Sequence, residues 1–246
     1  MRHHPYTQIS HIFSVDPPPQ TPHYSIDCLN RAFETESLSM VGAQFSTKDR
    51  ILGAAESLFA QQGFAGTSLR EVTSRADVNI AAVNYHFGSK ENLINEVFRR
   101  RLDELSARRL GALQTAREQH PVELEAILVA FIEPALALSL DCHGGSAFVR
   151  VLARAYAEKD ERLRQFMSQH YGHVMREFSK TIAACLPDVS RESLSWRLDF
   201  VAGALTYAMA DFGHNKRMTA GNDQAHCKRA AQELVRFAAA GLQGKV

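Results

Sequence analysis

A chain of 246 residues, 45% hydrophobic and 22% charged, has ample material for buried cores. Its net charge of +1 excludes a loose polycation, though not cations clustered on one small face. Four scattered cysteines (Cys28, Cys142, Cys185 and Cys227) show no C-x-x-C pair, and no apolar run approaches the roughly 20 residues of a membrane span; together with the lack of a secretory signal pattern they predict a reduced, cytoplasmic protein.

Residues 1–45 carry Pro5, Pro17-Pro18-Pro19, Pro22 and scattered polar residues without periodicity, which predicts a disordered tail. Met40 is the expected start of translation, and the tail histidines His3, His4 and His11 are not expected to hold metal. From Ser46 onward the pattern is helical. Over 47–62, Ile51, Ala55, Leu58 and Phe59 share one face, and Gly63 stands where a helix end wants a left-handed residue. Ser68-x-x-Glu71 is a capping box for a short helix whose inner face is Leu69, Val72, Thr73 and Ala76. Asp77-Val78-Asn79 is a tight turn, and Ile80–Phe87 a second short helix with Val83 and Phe87 inward. Gly88 ends it, and Ser89 caps a long helix reaching about Glu118. Pro121 suits the start of the next helix, at about 122–140, which Pro134 should kink or break. Gly144-Gly145 precedes a helix at about 146–158, and longer ones follow at about 160–186 and 190–212. A polar loop from Gly213 to Asp223 leads to a last helix near 225–241.

Two short helices joined by a three-residue turn behind a supporting helix have the proportions of a helix-turn-helix, over about 68–87. In that arrangement the second short helix enters the major groove. Its outer face has the matching chemistry. Asn84 can pair bidentately with adenine, Ile80 can pack on a thymine methyl, and Ala81 and Ala82 allow close approach. Tyr85, His86 and Lys90 flank this face with groups that can bond phosphate.

The stretch Ser46–Arg100 resembles the DNA-binding domain of the TetR family. The resemblance rests above all on Thr67-Ser68-Leu69-Arg70-Glu71-Val72 and Val83-Asn84-Tyr85-His86-Phe87-Gly88-Ser89-Lys90-Glu91-Asn92-Leu93. It implies phosphate contacts from Thr67, Ser68, Tyr85, His86 and Lys90 and base contacts from Asn79, Ile80, Ala81, Ala82 and Asn84. The family often carries Lys or Arg near Ile80, and its absence here points to more apolar or shape readout. The fold expected is all-α and TetR-like: a three-helix helix-turn-helix domain over 46–106 and a helical ligand-binding and dimerisation domain over 107–246.

Ser195–Phe212 is apolar on more than one side and so needs two partners, its own domain and something else. Ala202, Gly203 and Tyr207 on it, with Leu234 and Phe237 on the last helix, are the candidate interface of a homodimer, which would span a palindromic operator with half-sites about 34–36 Å apart. Candidate lining for a small-molecule effector is Phe131, Phe148, Leu152, Tyr156, Tyr171, Met175, Phe178, Trp196 and Phe200, although any one of these also suits an ordinary core. Arg150 and Arg154 could hold an anion or simply form a solvated face. His170, His173 and Glu177 line one helix side, yet three ligands from one helix rarely close a coordination sphere, so no metal or other cofactor is expected. Together with the helix-turn-helix residues, Leu152-Ala153-Arg154-Ala155-Tyr156 and Trp196 through Ala204 resemble the PsrA branch of the family, whose regulators of fatty-acid degradation respond to long-chain fatty acids. That resemblance implies a lipid-like effector, a fatty acid or acyl-CoA, that releases a repressor from DNA; an aromatic or drug-like ligand is the alternative. No G-x-S-x-G, P-loop, G-x-G-x-x-G after a strand or H-E-x-x-H is present, so an enzyme is not expected.

Overall fold

The computed structural model describes residues 46–139, 145–158, 161–210 and 223–244. The expected tail with Met40, the tail histidines and Cys28 lies outside them, as do Cys142, Gly144, most of the polar loop at 213–223 and the side chain of Tyr156. Among the described residues every regular element is an α-helix: α1 (Thr47–Gly66), α2 (Leu69–Ala76), α3 (Ile80–Phe87), α4 (Lys90–Arg117), α5 (Leu124–Ser139), α6 (Gly145–Glu158), α7 (Glu161–Cys185), α8 (Arg191–Ala210) and α9 (Asp223–Gln243).

Caps set most of the boundaries. Ser46 Oγ accepts from Asp49 N at 3.1 Å, Ser89 Oγ from Asn92 N at 3.1 Å and Ser190 Oγ from Ser193 N at 3.2 Å, each satisfying an amide that the first helical turn leaves free. α1 continues to Gly66, but across a break at Gly63, whose φ of 78° and ψ of 176° suit only glycine. The break lets Phe64 fold back to within 5.4 Å of Phe59, ring to ring.

α1 packs on α2, α3, α4 and α6, and α5 sits at the middle of the larger half, against α4, α6, α7, α8 and α9. Its central place explains two departures from the sequence pattern. The helix begins at Leu124, not at Pro121, which stands in the preceding turn. It also runs unbroken through Pro134. A proline there removes one backbone hydrogen bond and costs about 3 kcal/mol. Against that, Leu124, Ile127, Leu128, Phe131, Ile132 and Leu136 are all buried, each stabilising by roughly 1.5–3 kcal/mol, so burial outweighs the break. Arg109 of α4 further secures this stretch, donating from Nε to Phe131 O at 2.9 Å with its guanidinium 3.9 Å from the Phe131 ring centroid.

Ring contacts connect the helices in a line. Phe64 lies 6.3 Å from Phe98 of α4, and Phe98 lies 5.6 Å from Phe148 of α6, edge to face. Beside them, Glu56 of α1 and Arg101 of α4 form a buried ion pair, with contacts of 3.1 and 3.3 Å. α1 therefore shares core contacts with α4 and α6, and α3 packs on α4.

Candidate nucleic-acid interface

The geometry of α2 and α3 follows from their caps. Ser68 N donates to Glu71 Oε2 at 2.7 Å and Glu71 N to Ser68 Oγ at 3.2 Å, closing the capping box. The Ser68 N–H, and then its hydroxyl, hold the Glu71 carboxyl below its ordinary range. At the other end Asp77 adopts the left-handed conformation (φ 52°, ψ 56°), and Val78 N donates to Thr73 O at 3.1 Å, which turns the chain sharply. Arg50 of α1 donates to Asp77 O at 3.1 Å and braces this turn.

α3 starts with Asn79 Oδ1 accepting from Ala81 N at 3.0 Å. Val83 and Phe87 are buried against α1, α2 and α4, so the opposite side of the helix faces outward. On that side Asn79, Ala81, Asn84 and His86 are exposed, Ile80 is 41% exposed and Tyr85 85% exposed. Tyr85 and His86 meet edge to face at 5.1 Å. Gly88 (φ 74°) ends the helix, Asn92 Nδ2 donates to Phe87 O at 3.0 Å, and Lys90 stands half-buried at the start of α4.

Two of the expected contact residues sit differently. Thr67 is only 1% exposed, and its hydroxyl donates to Gly63 O at 2.8 Å, so its side chain closes the end of α1 and is turned away from the outer face. Ala82 is half-buried beside the core, set back from Ala81. Three exposed cations on the same unit, Lys48, Arg70 and Arg75, are not among the residues that sequence reasoning singles out. Their only signal there is that of isolated basic residues at polar positions of α1 and α2. Lys48 pairs with Glu96 at 3.2 Å, and both line a cleft of about 360 Å³ with His86, Phe87, Asn92, Asn95 and Arg99.

In the larger half the expected effector residues are placed in several different surroundings. Phe131, Phe148 and Phe178 belong to the packed core, with Phe131 and Phe178 in edge-to-face contact at 5.1 Å. Leu152 is half-buried, and Tyr171 donates to Asp103 Oδ1 at 2.7 Å, its phenol held protonated first by burial and then by that bond. Met175, Trp196 and Phe200 are exposed. The two apolar sides of α8 account for this. Leu194, Val201, Leu205 and Met209 point inward, whereas Trp196, Phe200, Gly203 and Tyr207 form an outer stripe at helical spacing, with Ala202 half-buried beside it. Of the two α9 residues expected at a dimer interface, Phe237 is 65% exposed, but Leu234 is 8% exposed and packs into its own protomer. A β-carbon added at Gly203 would meet nothing within 4 Å, so this position leaves room for a helix to approach.

Glu177 pairs with Arg117 at 2.8 Å, a His170 ring nitrogen lies 2.9 Å from Phe166 O, and His173 is exposed. Among the described residues no group of three His, Cys, Asp or Glu side chains could hold a metal ion, and no helix is long and apolar enough to cross a membrane.

The fold and this surface define a helix-turn-helix unit carried on a larger helical body. Residues 51–97 match the family model described as bacterial regulatory proteins, tetR family, and residues 129–241 match the tetracyclin repressor-like C-terminal domain. The chain belongs to the TetR family. It is 47% identical over 57 residues to YttP of Bacillus subtilis, covering 22% of this chain and 28% of that one. It is 35% identical over 71 residues to the HTH-type transcriptional repressor KstR2 of Mycolicibacterium smegmatis (29% and 35% covered), and 38% identical over 105 residues to the HTH-type transcriptional repressor Rv3405c of Mycobacterium tuberculosis (43% and 44%). The chain thus spans less than half the length of each of these relatives. Among solved structures, PfmR of Thermus thermophilus, a TetR family transcriptional regulator, superposes with a TM-score of 0.54 at 20% identity (82% of this chain, 99% of that one). A transcriptional regulator from Rhodococcus sp. Rha1 superposes at 0.55 and 18% identity (82% and 100%).

Proposed function

We propose that the protein is a sequence-specific DNA-binding transcriptional regulator, a repressor that acts as a homodimer and leaves its operator when a small molecule binds the larger half. The observation that carries this reading is the outer face of α3. Ile80, Ala81, Asn84 and Tyr85 are presented to solvent by a helix whose other side is locked into the core at Val83 and Phe87. A helix so presented fits the major groove, with Asn84 at the base edges and Tyr85, His86, Lys90 and the exposed Arg70 toward the phosphates. One such helix reads few base pairs, so the outer stripe of α8 with Phe237 of α9 supplies the second copy by helix-on-helix packing across a two-fold axis. Trp196 and Phe200, open to solvent and aligned with Gly203 and Tyr207, belong on this reading to the dimer face and not to a pocket.

Selection of bound duplexes from a random library tests the DNA reading. A palindromic consensus with half-sites about one helical turn apart is expected, and no enrichment would sink it. The effector we assign is lipid-like, a fatty acid or acyl-CoA, supported by the resemblance of Leu152–Tyr156 and Trp196–Ala204 to the fatty-acid-responsive branch and by the apolar character of α5. Its binding would favour a dimer whose reading helices are wrongly spaced, drawing population from the DNA-competent form through α4, which joins the two halves. Titrating the protein–operator complex with oleate and with oleoyl-CoA should release it. Release by aromatic cations alone would favour a drug-like ligand instead.

A further inference from the structure

α1 is held at three heights by groups from three other parts of the chain. Near its start, Arg50 braces the turn between α2 and α3 at Asp77 O (3.1 Å). Midway, Glu56 takes the guanidinium of Arg101 from α4. Near its end, Arg154 of α6 donates from Nε to Ala60 O at 3.2 Å and from Nη2 to Gln61 O at 2.9 Å, across more than ninety residues of sequence. These two carbonyls belong to the last turn before the break at Gly63, where a helix leaves acceptors without intrahelical partners. Arg150, one turn earlier on α6, is exposed, so the engagement of Arg154 is not a general property of that helix face.

A planar fork that bonds two successive carbonyls allows essentially one placement of the helices it joins. α6 in turn packs on α5 and α8. Arg154 therefore ties the end of α1, and with it the α2–α3 unit, to the helices that carry the proposed dimer face.

We propose that Arg154 is a positioning residue for DNA recognition: by pinning α1 to α6 it fixes the angle at which α3 is presented, and hence the distance between the two reading helices of a dimer. The inference rests on the operator-binding dimer proposed above. Random duplex is bound mainly through phosphates, which a loosely held reading unit can still reach. An operator demands that both units engage at one separation, and a loosened pair must be ordered at the moment of binding.

The test compares Arg154→Met and Arg154→Lys with the wild type on three duplexes: the operator selected from a random library, the same operator with one base pair added or removed between its half-sites, and a random sequence. Lysine keeps the charge and the stem but offers a single ammonium where the fork spans two carbonyls. Arg154→Met should bind the selected operator about tenfold more weakly, bind random duplex as the wild type does, and discriminate less between correct and altered spacing. Arg154→Lys should move the same way, and it carries the comparison should the methionine variant fail to fold. Spacing discrimination equal to the wild type's in a folded variant would overturn the proposal, and so would an equal loss on operator and random duplex. A wild type that enriches no duplex at all fails at the earlier reading, before either variant is compared.

Discussion

On the dimer proposed above, Phe200→Glu should convert the protein from a dimer to a monomer. Trp196 is 60% exposed, Phe200 67%, Tyr207 57% and Phe237 65%. With about 150–250 Å² of surface on each aromatic side chain, these four open roughly 500 Å² on one protomer. Two copies facing one another would bury roughly 1,000 Å² from these groups alone, about the threshold of a specific interface. Placing a carboxylate at position 200 removes roughly 250 Å² of apolar contact across the pair, worth about 6 kcal/mol at 25 cal/mol per Å² as an upper bound. It also adds a negative charge to each of the two facing stripes. Even half of that energy weakens the dimer more than a hundredfold. Sedimentation velocity over a dilution series reads the outcome directly, and the selected operator supplies a second measure, since a monomer should hold a single half-site weakly. If Phe200→Glu sediments as the wild type does throughout the micromolar range, the outer stripe of α8 is not the dimer face.

Further expectations concern the reading unit and its supports. Asn84→Ala should relax sequence preference at one position of each half-site, costing about 1–3 kcal/mol, whereas Lys90→Ala should weaken all duplexes alike and lower the salt slope by about one; gel-shift titrations in which the two variants behave identically would contradict these roles. Arg101→Met takes the guanidinium away from the buried Glu56 carboxylate and should destabilise the fold by about 3–5 kcal/mol in urea titration, while the double variant Glu56→Leu/Arg101→Met should recover much of the loss; a double variant as unstable as the single would argue against a desolvated pair. Because Ser68 holds the folded Glu71 carboxyl below its ordinary range, the cap contributes stability above that range and loses it as pH falls through the lower, folded value. The melting-temperature gap between wild type and Glu71→Gln should therefore narrow on acidification, and a gap that stays constant from about pH 7 to about pH 3 would refute the linkage.

The local rules that place the helices are largely written in the chain itself. Ser68 and Glu71, Ser89, and the glycines at 63 and 88 act on neighbours a few residues away, so the reading unit was legible down to its caps. Pro134 does not break α5 because its local penalty is outweighed by burial that only the assembled core supplies. The placement of Thr67 was not legible for a similar reason: nothing in its immediate sequence says that its hydroxyl will fold under the end of α1. On α8, periodicity announced two apolar sides without saying which one turns inward. The register of Leu194 against Trp196 is settled by contacts with α5, α6, α7 and α9, which the periodicity of α8 alone does not encode. The same holds for Arg154, whose partners lie more than ninety residues upstream.

The line of rings from Phe59 and Phe64 through Phe98 to Phe148 has a bearing on protein engineering. A hybrid regulator joined near residue 106 would take its first three aromatic rings from one parent and the fourth from the other. The seam of such a chimera runs through a shared stack, so a donor reading head with different ring sizes would leave a void or a collision beneath α6. Matching position 148 to the incoming head, and not the linker alone, is the repair that this stack calls for.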